Sequence, residues 1–450
     1  MKKIFQYIML AVVTIVMASC TSDIEEPTAT TGKSNVQLIV GEFPAFGDSQ
    51  TRAIGTPDEG KTSWAEGDEL LLEIDNTSYG KQYATFTYNG KSWELTSGEL
   101  VYREGDPAYI PHVYYAPNYK WEAGKLVLKE GKDPGTDEYI EGNARISGNG
   151  EDINVSFAEA TRNYSRLRIA TMPNKPITVA ISKYTPAGSS DMKWDQNYAL
   201  TSDEKGNAYL YGTFENNSEV TVKYREATLA THTFLQKTEN AMSYALDATV
   251  ISVNSAEEIK SAIEQKVADG KTTIRLNLAP NAGTNEFMAI REAIKGAAPN
   301  DLGTIELTII GVETIPKEAF YKMLQLKSVR MSDVKEIKKY AFKECQYLTV
   351  VEAPSLNKLN SGAFNKCNLL SKLTFGPINY ADERNWPIFE YITPNIDLIL
   401  SDYQKEMIET DSYLYTANND RDYAGSDEHN SKNFLGREFK SITCRYKVEY

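Results

Sequence analysis

The sequence predicts a mainly-β protein in two unlike halves: a β-sandwich region over residues 36–250, in one or two lobes, and a short solenoid with helical caps over residues 251–450. Two observations carry this. In the first half, short runs of alternating apolar and polar residues are separated by clusters of Gly, Pro, Asn and Asp. In the second, one apolar phrase returns every 22 residues.

At the N-terminus, Lys2 and Lys3 precede an apolar run from Ile4 to Met17, and Ala18-Ser19-Cys20 follows. This reads as a signal peptide over residues 1–19. The run is shorter than the roughly 20 apolar residues a membrane-spanning helix needs. Its small-small-Cys ending resembles the bacterial lipobox, which implies that Cys20 is acylated and becomes the first mature residue. Residues 20–35 then form a tether. Its acidic start, Thr21-Ser22-Asp23-Ile24-Glu25-Glu26, resembles the surface-export signal of Bacteroidales lipoproteins. The expected location is the outer membrane, on its cell-surface face.

Losing residues 1–19 with their two lysines takes the formal charge from −14 to −16, which argues against nucleic acid as a partner. Beyond Cys20 only Cys345, Cys367 and Cys444 remain, too few for a disulfide framework.

Within residues 36–250, Gln37–Val40, Glu69–Ile74, Tyr83–Tyr88 and Glu219–Tyr224 alternate as strands, and Asn89-Gly90 and Ser97-Gly98 read as turns. Alternation of this kind buries every second residue between two sheets. Thr51-Arg52-Ala53, Ser63-Trp64-Ala65-Glu66-Gly67-Asp68-Glu69-Leu70 and Val113-Tyr114-Tyr115-Ala116-Pro117 resemble the fimbrillin-like family of Bacteroidales. So does Val155-Ser156-Phe157-Ala158 leading to Ser165–Ile169. The resemblance implies a transthyretin-like β-sandwich, as in pilus subunits and solitary surface lipoproteins. It makes Arg52 a candidate processing site, since polymerising members are cut after an arginine there.

In the second half, Ile315, Ile337 and Leu359 open three phrases of equal length, and the clear repeats span residues 311–376. Phe320, Phe342 and Phe364 fall in register, as do Leu326, Leu348 and Leu370, and as do Met323, Cys345 and Cys367. These columns are the expected core of the repeats, since each coil buries its apolar residues only by stacking on the next. Cys345 and Cys367 share a column with Met323, so they are expected as core filler rather than a metal or disulfide pair. The phrase from Ile337 to Val351 resembles the BspA-like leucine-rich repeat, and Leu307 and Ile309 begin a degenerate coil one period earlier. Upstream, Ser255 and Glu258 form a capping box for a helix to about Val267, Thr272–Leu278 alternates as a strand, and Glu286–Lys295 is a second amphipathic helix. Ile396–Leu400 and Phe439–Tyr446 can close the far end.

Chemistry-bearing motifs are sparse. There is no serine elbow and no paired zinc motif, and Gly148-Asn149-Gly150 fails as a phosphate loop at Ile153. His112, His232 and His429 are far apart in sequence. Asp420-Arg421-Asp422 starts like a calcium loop, but Ala424 cannot ligate and Ser431 stands where a glutamate is needed. No enzyme activity, metal or cofactor is expected.

The expected function is binding. BspA-like repeats imply attachment to a protein or glycoprotein on host, matrix or other bacteria, with the sandwich as a spacer. Residues 311–376 hold 11 Lys or Arg against 6 Asp or Glu. Lys338, Lys339 and Lys343 fall near the Ala-Phe turn, while Arg330 and Lys372 should point outward from the repeat strands with Ser328, Val350, Glu352 and Thr374. These basic residues are the candidate partner-binding set. Two other roles fit: an accessory, anchor or tip subunit of a fimbria, with pilus subunits as partners, and polysaccharide capture through Trp64, Trp93, Trp121, Trp194 and Trp386.

Overall fold

The computed structural model describes residues 33–444 apart from 35, 49–60, 103–104, 106, 148–151, 158–161, 226, 383–386, 402–432 and 436. Cys20, Arg52, Trp386, His429 and the acidic stretch at 420–425 lie outside the described residues. Within them the chain is mostly β, with two α-helices.

Two eight-stranded sheets build the N-terminal region, each around its own core. The first sheet runs in the order Lys33–Ser34, Trp93–Leu100, Gly80–Tyr88, Glu69–Asn76, Ala108–Tyr115, Ile140–Ile146, Asp152–Ser156, Gln37–Val40. Leu70, Leu72 and Ile74 point into its core, as alternation requires. Leu71, on the opposite face, is buried as well, because the hairpin Tyr119–Glu122/Lys125–Leu128 folds over it with Tyr119, Trp121 and Leu126. Ile140–Ile146 turns the corner: Ile140, Glu141 and Gly142 pair with Ala108–Tyr115, while Asn143 to Ile146 pair with Asp152–Ser156. Asn89-Gly90 is the expected turn, with the Asn89 amide donating to Ser92 O at 3.0 Å. Ser97-Gly98 is not a turn. It lies inside the strand Trp93–Leu100, where pairing slips by a residue between Ser97 and Leu95. Gly98 has φ +81°, and a Cβ there would meet Tyr83 O at 1.9 Å, so a bulge and not a chain reversal requires this glycine.

In the second lobe one long strand, Pro176–Pro186, serves two sets of neighbours. Up to Ser182 it lies between Lys193–Thr201 and Glu219–Tyr224. Lys183 then adopts φ +49°, and Tyr184 to Pro186 pair with Asn207–Phe214, with Tyr184 still paired to Lys193 on its other side. That kink wraps the sheet around Ile177, Val179, Tyr184, Leu210 and Phe214.

The lobes meet at a buried ion pair. Arg162 donates through Nε and Nη2 to both oxygens of Glu138 at 3.2 and 3.0 Å, and Tyr164 Oη donates to Glu138 at 2.5 Å. The Arg162 guanidinium also donates to Ala45 O at 3.1 Å and stacks 4.0 Å from the Phe46 ring centroid. Burying a charge is tolerable only with its hydrogen bonds met, and here the guanidinium has a carboxylate, a carbonyl and a ring face.

From Ile251 onward one eight-stranded parallel sheet runs in chain order: Ile251–Val253, Thr273–Leu278, Ile305–Ile310, Leu326–Met331, Val350–Ala353, Lys372–Phe375, Asp397–Leu400, Ser441–Cys444. A second, four-stranded parallel sheet stacks two-residue strands beginning at Thr314, Glu336, Lys358 and Tyr380. Helix α1, Ala256–Ala268, starts where Ser255 Oγ accepts from the Glu258 amide at 3.2 Å. Helix α2, Thr284–Ala297, starts two residues earlier than the apolar pattern shows, because the Glu286 carboxylate accepts from the Gly283 amide at 2.7 Å. Residues 397–400 and 441–444 add strands to the main sheet.

The phenylalanine column outruns the three phrases that reveal it. Phe320, Phe342 and Phe364 stack with centroids 5.1 and 5.4 Å apart, Phe389 continues at 5.7 Å, and Phe287 of α2 meets Phe320 edge-on at 5.7 Å. Phe389 escapes the 22-residue pattern because it lies 25 residues after Phe364.

The leucine column is core throughout, but its members are not equivalent. Leu326, Leu348 and Leu370 are all buried in the repeat core. Leu326 opens the strand Leu326–Met331, whereas Leu348 and Leu370 stand two residues ahead of Val350–Ala353 and Lys372–Phe375. Those two leucines sit in bends closed by Leu348 N to Cys345 O at 3.1 Å and Leu370 N to Cys367 O at 3.3 Å. The equal spacing of the three does not extend to equal secondary structure, and the preceding coil is the reason. Leu326 pairs with Ile305 through a register shift that lengthens its strand, while pairing of the later strands begins only at Ser328 with Val350 and at Val350 with Lys372.

Candidate partner-binding surface of the repeats

The segment after each short strand turns sharply twice per coil. Glu318, Tyr340 and Gly362 hold φ of 57°, 59° and 65°, and Lys322, Glu344 and Lys366 hold 57°, 62° and 59°. These left-handed positions repeat at the 22-residue interval, and they project side chains at 321–322, 338–340, 343–344 and 366 away from the Phe column. Backbone bonds between coils fix the spacing: Phe320 N to Ala341 O at 2.8 Å, Phe342 N to Ala363 O at 2.9 Å, Lys322 N to Lys343 O at 3.0 Å and Glu344 N to Asn365 O at 2.8 Å.

Lysines on this edge rest on tyrosines. The Lys339 and Lys343 ammonium groups lie 4.9 and 4.8 Å from the Tyr340 ring centroid, Lys343 also lies 5.9 Å from Tyr321, and Lys366 lies 5.9 Å from Tyr391. Lys322 sits 5.2 Å from Tyr321 and pairs with Glu344 at 3.5 Å. Its pKa is raised by the Tyr321 hydroxyl first and by Glu344 second, so it stays charged. Lys338 is exposed. Sequence reasoning misses these three tyrosines, although Tyr321-Lys322 and Lys339-Tyr340 adjoin in the chain and could have signalled the contact.

The structure divides the candidate basic set. Lys338, Lys339 and Lys343 lie on the turn edge, whereas Arg330 and Lys372 lie on the main sheet. Arg330 is held in a cross-strand ladder, 3.8 Å from Glu306 and 3.3 Å from Glu352. Ser328, expected to face outward into solvent, is only 3% exposed. The cause is tertiary: the strand Ala227–Thr233 of the second lobe packs across Ile305–Ile310 and Leu326–Met331. Thr308 is buried with Ser328, Ile310 joins the second lobe's core, and Arg275 Nε donates to Leu229 O. Arg225 then bridges to Asp333 at 3.0 Å, and Asp333 also accepts from the Gly311 amide at 2.8 Å. The open part of the sheet face is its C-terminal half, with Val350, Glu352, Lys372 and Thr374 partly or fully exposed.

Other candidates resolve individually. Cys345 and Cys367 are buried and unpaired, each Sγ donating to a carbonyl one coil back, Phe320 O at 2.9 Å and Phe342 O at 3.0 Å. Burial pushes the Cys345 thiol up to about 12 and Cys367 well above its ordinary value. Trp64 and Trp93 pack edge-on at 5.2 Å against the first core, Trp121 lies half-buried under its hairpin, and Trp194 is 66% exposed on an edge strand. The described tryptophans therefore form no shared stacking platform. His112 pairs with Glu141 at 2.9 Å, while His232 lies edge-on to Phe234 at 4.7 Å. Among the described residues no group of three or more His, Cys, Asp or Glu is placed to hold a metal.

With six copies matched by the model for a BspA type leucine-rich repeat region over residues 303–407, the repeats can be classified. These residues are a BspA-type leucine-rich repeat region. The BspA-type match begins at the coil of Leu307 and Ile309 and runs past the three regular phrases. Among solved structures, a Bacteroides fragilis protein described as a candidate cell adhesion protein aligns with 11% identity over 48% of this chain and 92% of its own, at a TM-score of 0.25. A likeness that distant carries no argument about fold or role. No curated protein matches the chain.

Proposed function

We propose that this chain is a lipid-anchored, cell-surface binding protein of adhesin type. Cys20 tethers it to the outer membrane, the N-terminal lobes are transthyretin-like sandwiches acting as a spacer, and the repeat solenoid engages a protein or glycoprotein partner without catalysis. The observation that carries the reading is the BspA-type repeat region with a solvent-facing turn edge, standing beyond two β lobes from the proposed anchor. Stacked repeats offer a rigid surface on which outward side chains vary without disturbing the core.

The test has two arms. Cys20→Ala is expected to release the protein from the membrane fraction or stall its processing, and continued detergent-dependent fractionation removes the anchor. The whole mature chain, used as bait against host and bacterial surface extracts, is expected to retain a partner that a chain ending near residue 250 does not. Retention that ignores the repeats assigns binding to the lobes. The whole chain is the right bait because Ile310 and Ser328 are buried by the second lobe.

One feature favours the fimbrial reading as a second possibility for the lobes. Gln37–Val40 precedes Arg52 and completes the first sheet by parallel pairing with Asp152–Ser156, so cleavage after Arg52 would free a strand with Leu38 and Phe43 in the core. Mass spectrometry of the surface form showing an N-terminus at Ala53 would support that role. A mature N-terminus at Cys20 throughout excludes it.

A further inference from the structure

We propose that the lysine–tyrosine edge of the repeats is a binding site for a linear sulfated polysaccharide; the inference rests on the repeats being the binding element. In a chain of net charge −14, cations would be expected to find carboxylates, and around the main sheet they do. Lys327 pairs with Glu306 at 2.8 Å and Lys440 with Asp397 at 3.1 Å, and beside the four-stranded sheet Lys335 pairs with Glu313 at 2.6 Å. On the turn edge Lys317 and Lys322 still find Glu318 and Glu344, at 3.3 and 3.5 Å, but their neighbours do not. Among the described residues no carboxylate lies within ion-pair distance of Lys338, Lys339 or Lys366, and the last two are held over tyrosine rings instead. A ring face steadies an ammonium group without neutralising it, leaving its charge for an outside anion.

Geometry selects the kind of anion. Neighbouring coils are about 4.8 Å apart, so side chains in one column stand at close to the length of a pyranose ring. Lys317 and Lys339 share a column on adjacent coils, and Lys322 and Lys366 share another two coils apart, with Glu344 between them. Tyr391, 62% exposed beside Lys366, adds a ring face on which a sugar can lie. An acidic peptide fits less well. The backbone amides at Phe320, Lys322, Phe342, Glu344 and Lys366 are all spent on coil-to-coil bonds, so this edge has no free strand to augment. What it presents is charge and ring faces, which suit sulfate groups on a sugar chain.

The experiment measures binding of the whole mature chain to heparin, to heparin stripped of sulfate, and to polyglutamate, across a salt series. Heparin is expected to bind at low salt and weaken steeply as salt rises, with the desulfated chain not retained. Replacing Lys338, Lys339 and Lys343 together by Gln should lower heparin affinity by about 10-fold or more and flatten the salt dependence. The same three changed to Arg should keep it, and Lys91, Lys120 and Lys125→Gln in the first lobe should leave it within about two-fold. No retention at low salt, equal losses from both Gln triples, or tighter binding to polyglutamate overturns the proposal. A surface partner captured by the chain whose affinity ignores these lysines removes the polysaccharide assignment while leaving the binding role standing.

Discussion

Phe342→Ala is the sharpest test of how the repeats hold together. The ring is fully buried, stacked on Phe320 at 5.1 Å on one side and on Phe364 at 5.4 Å and 6° on the other. Removing it forfeits about 2–3 kcal/mol of transfer free energy and leaves a cavity between two rings that backbone bonds hold in place, for a total of about 3–5 kcal/mol. Collapse cannot relieve this, because Phe342 N to Ala363 O at 2.9 Å and Phe320 N to Ala341 O at 2.8 Å fix the coil spacing on both sides. In a unit of this size, about 2–4 °C per kcal/mol turns that into a drop of roughly 6–20 °C in the transition of the repeats. Scanning calorimetry of the mature chain reads it directly. Phe342→Leu keeps most of the volume and should cost about 1–2 kcal/mol. A loss below about 1 kcal/mol for the alanine variant would mean that the ring column is not the core of the stack.

Three other outcomes follow from particular contacts. Ile310→Ala, which empties a site shared by the sheet and the second lobe, should cost about 2–5 kcal/mol and raise proteolysis in the 248–253 joint; an unchanged cleavage rate there argues that the lobe and the repeats are not coupled through it. Gly311→Ala should destabilise the first coils of the repeats, since Gly311 has φ +89° and a Cβ would meet Leu278 O at 2.3 Å, and an unchanged melting transition would refute that close approach. Iodoacetamide mapping at pH 8 should leave Cys345 and Cys367 unmodified in the native chain, because burial raises both thiols, Cys345 to about 12, and should modify both once denatured; rapid native labelling of either would place it at the surface.

Local pattern was informative wherever one apolar face decided the structure. Alternation marks Tyr83–Tyr88 within the strand Gly80–Tyr88, because a strand buried on one face shows a period of two. The repeats were legible for a stronger reason: each coil uses the same columns, so Phe320, Phe342 and Phe364 announce their stacking at a fixed interval. The Ser255–Glu258 cap was equally plain, being a bond between residues three apart.

What local pattern could not hold was every feature made by distant partners. Ser97-Gly98 has turn composition but serves a bulge, since the clash that demands glycine comes from Tyr83 on the next strand. Leu326, Leu348 and Leu370 share a column and a buried environment, yet only the first is drawn into a strand, by its pairing with Ile305. Phe389 completes the ring column across an interval of 25 residues that breaks the period. Arg162 and Glu138 find each other inside the protein although neither position looks buried by composition. Most consequential for function, alternation assigned Ser328 to the open face of the sheet, and the face is right but not its exposure. Which residues of that face meet solvent was decided when Ala227–Thr233 packed over its first half, leaving open the second half, with Lys372, and the turn edge, where Lys339 and Lys343 lie over Tyr321 and Tyr340.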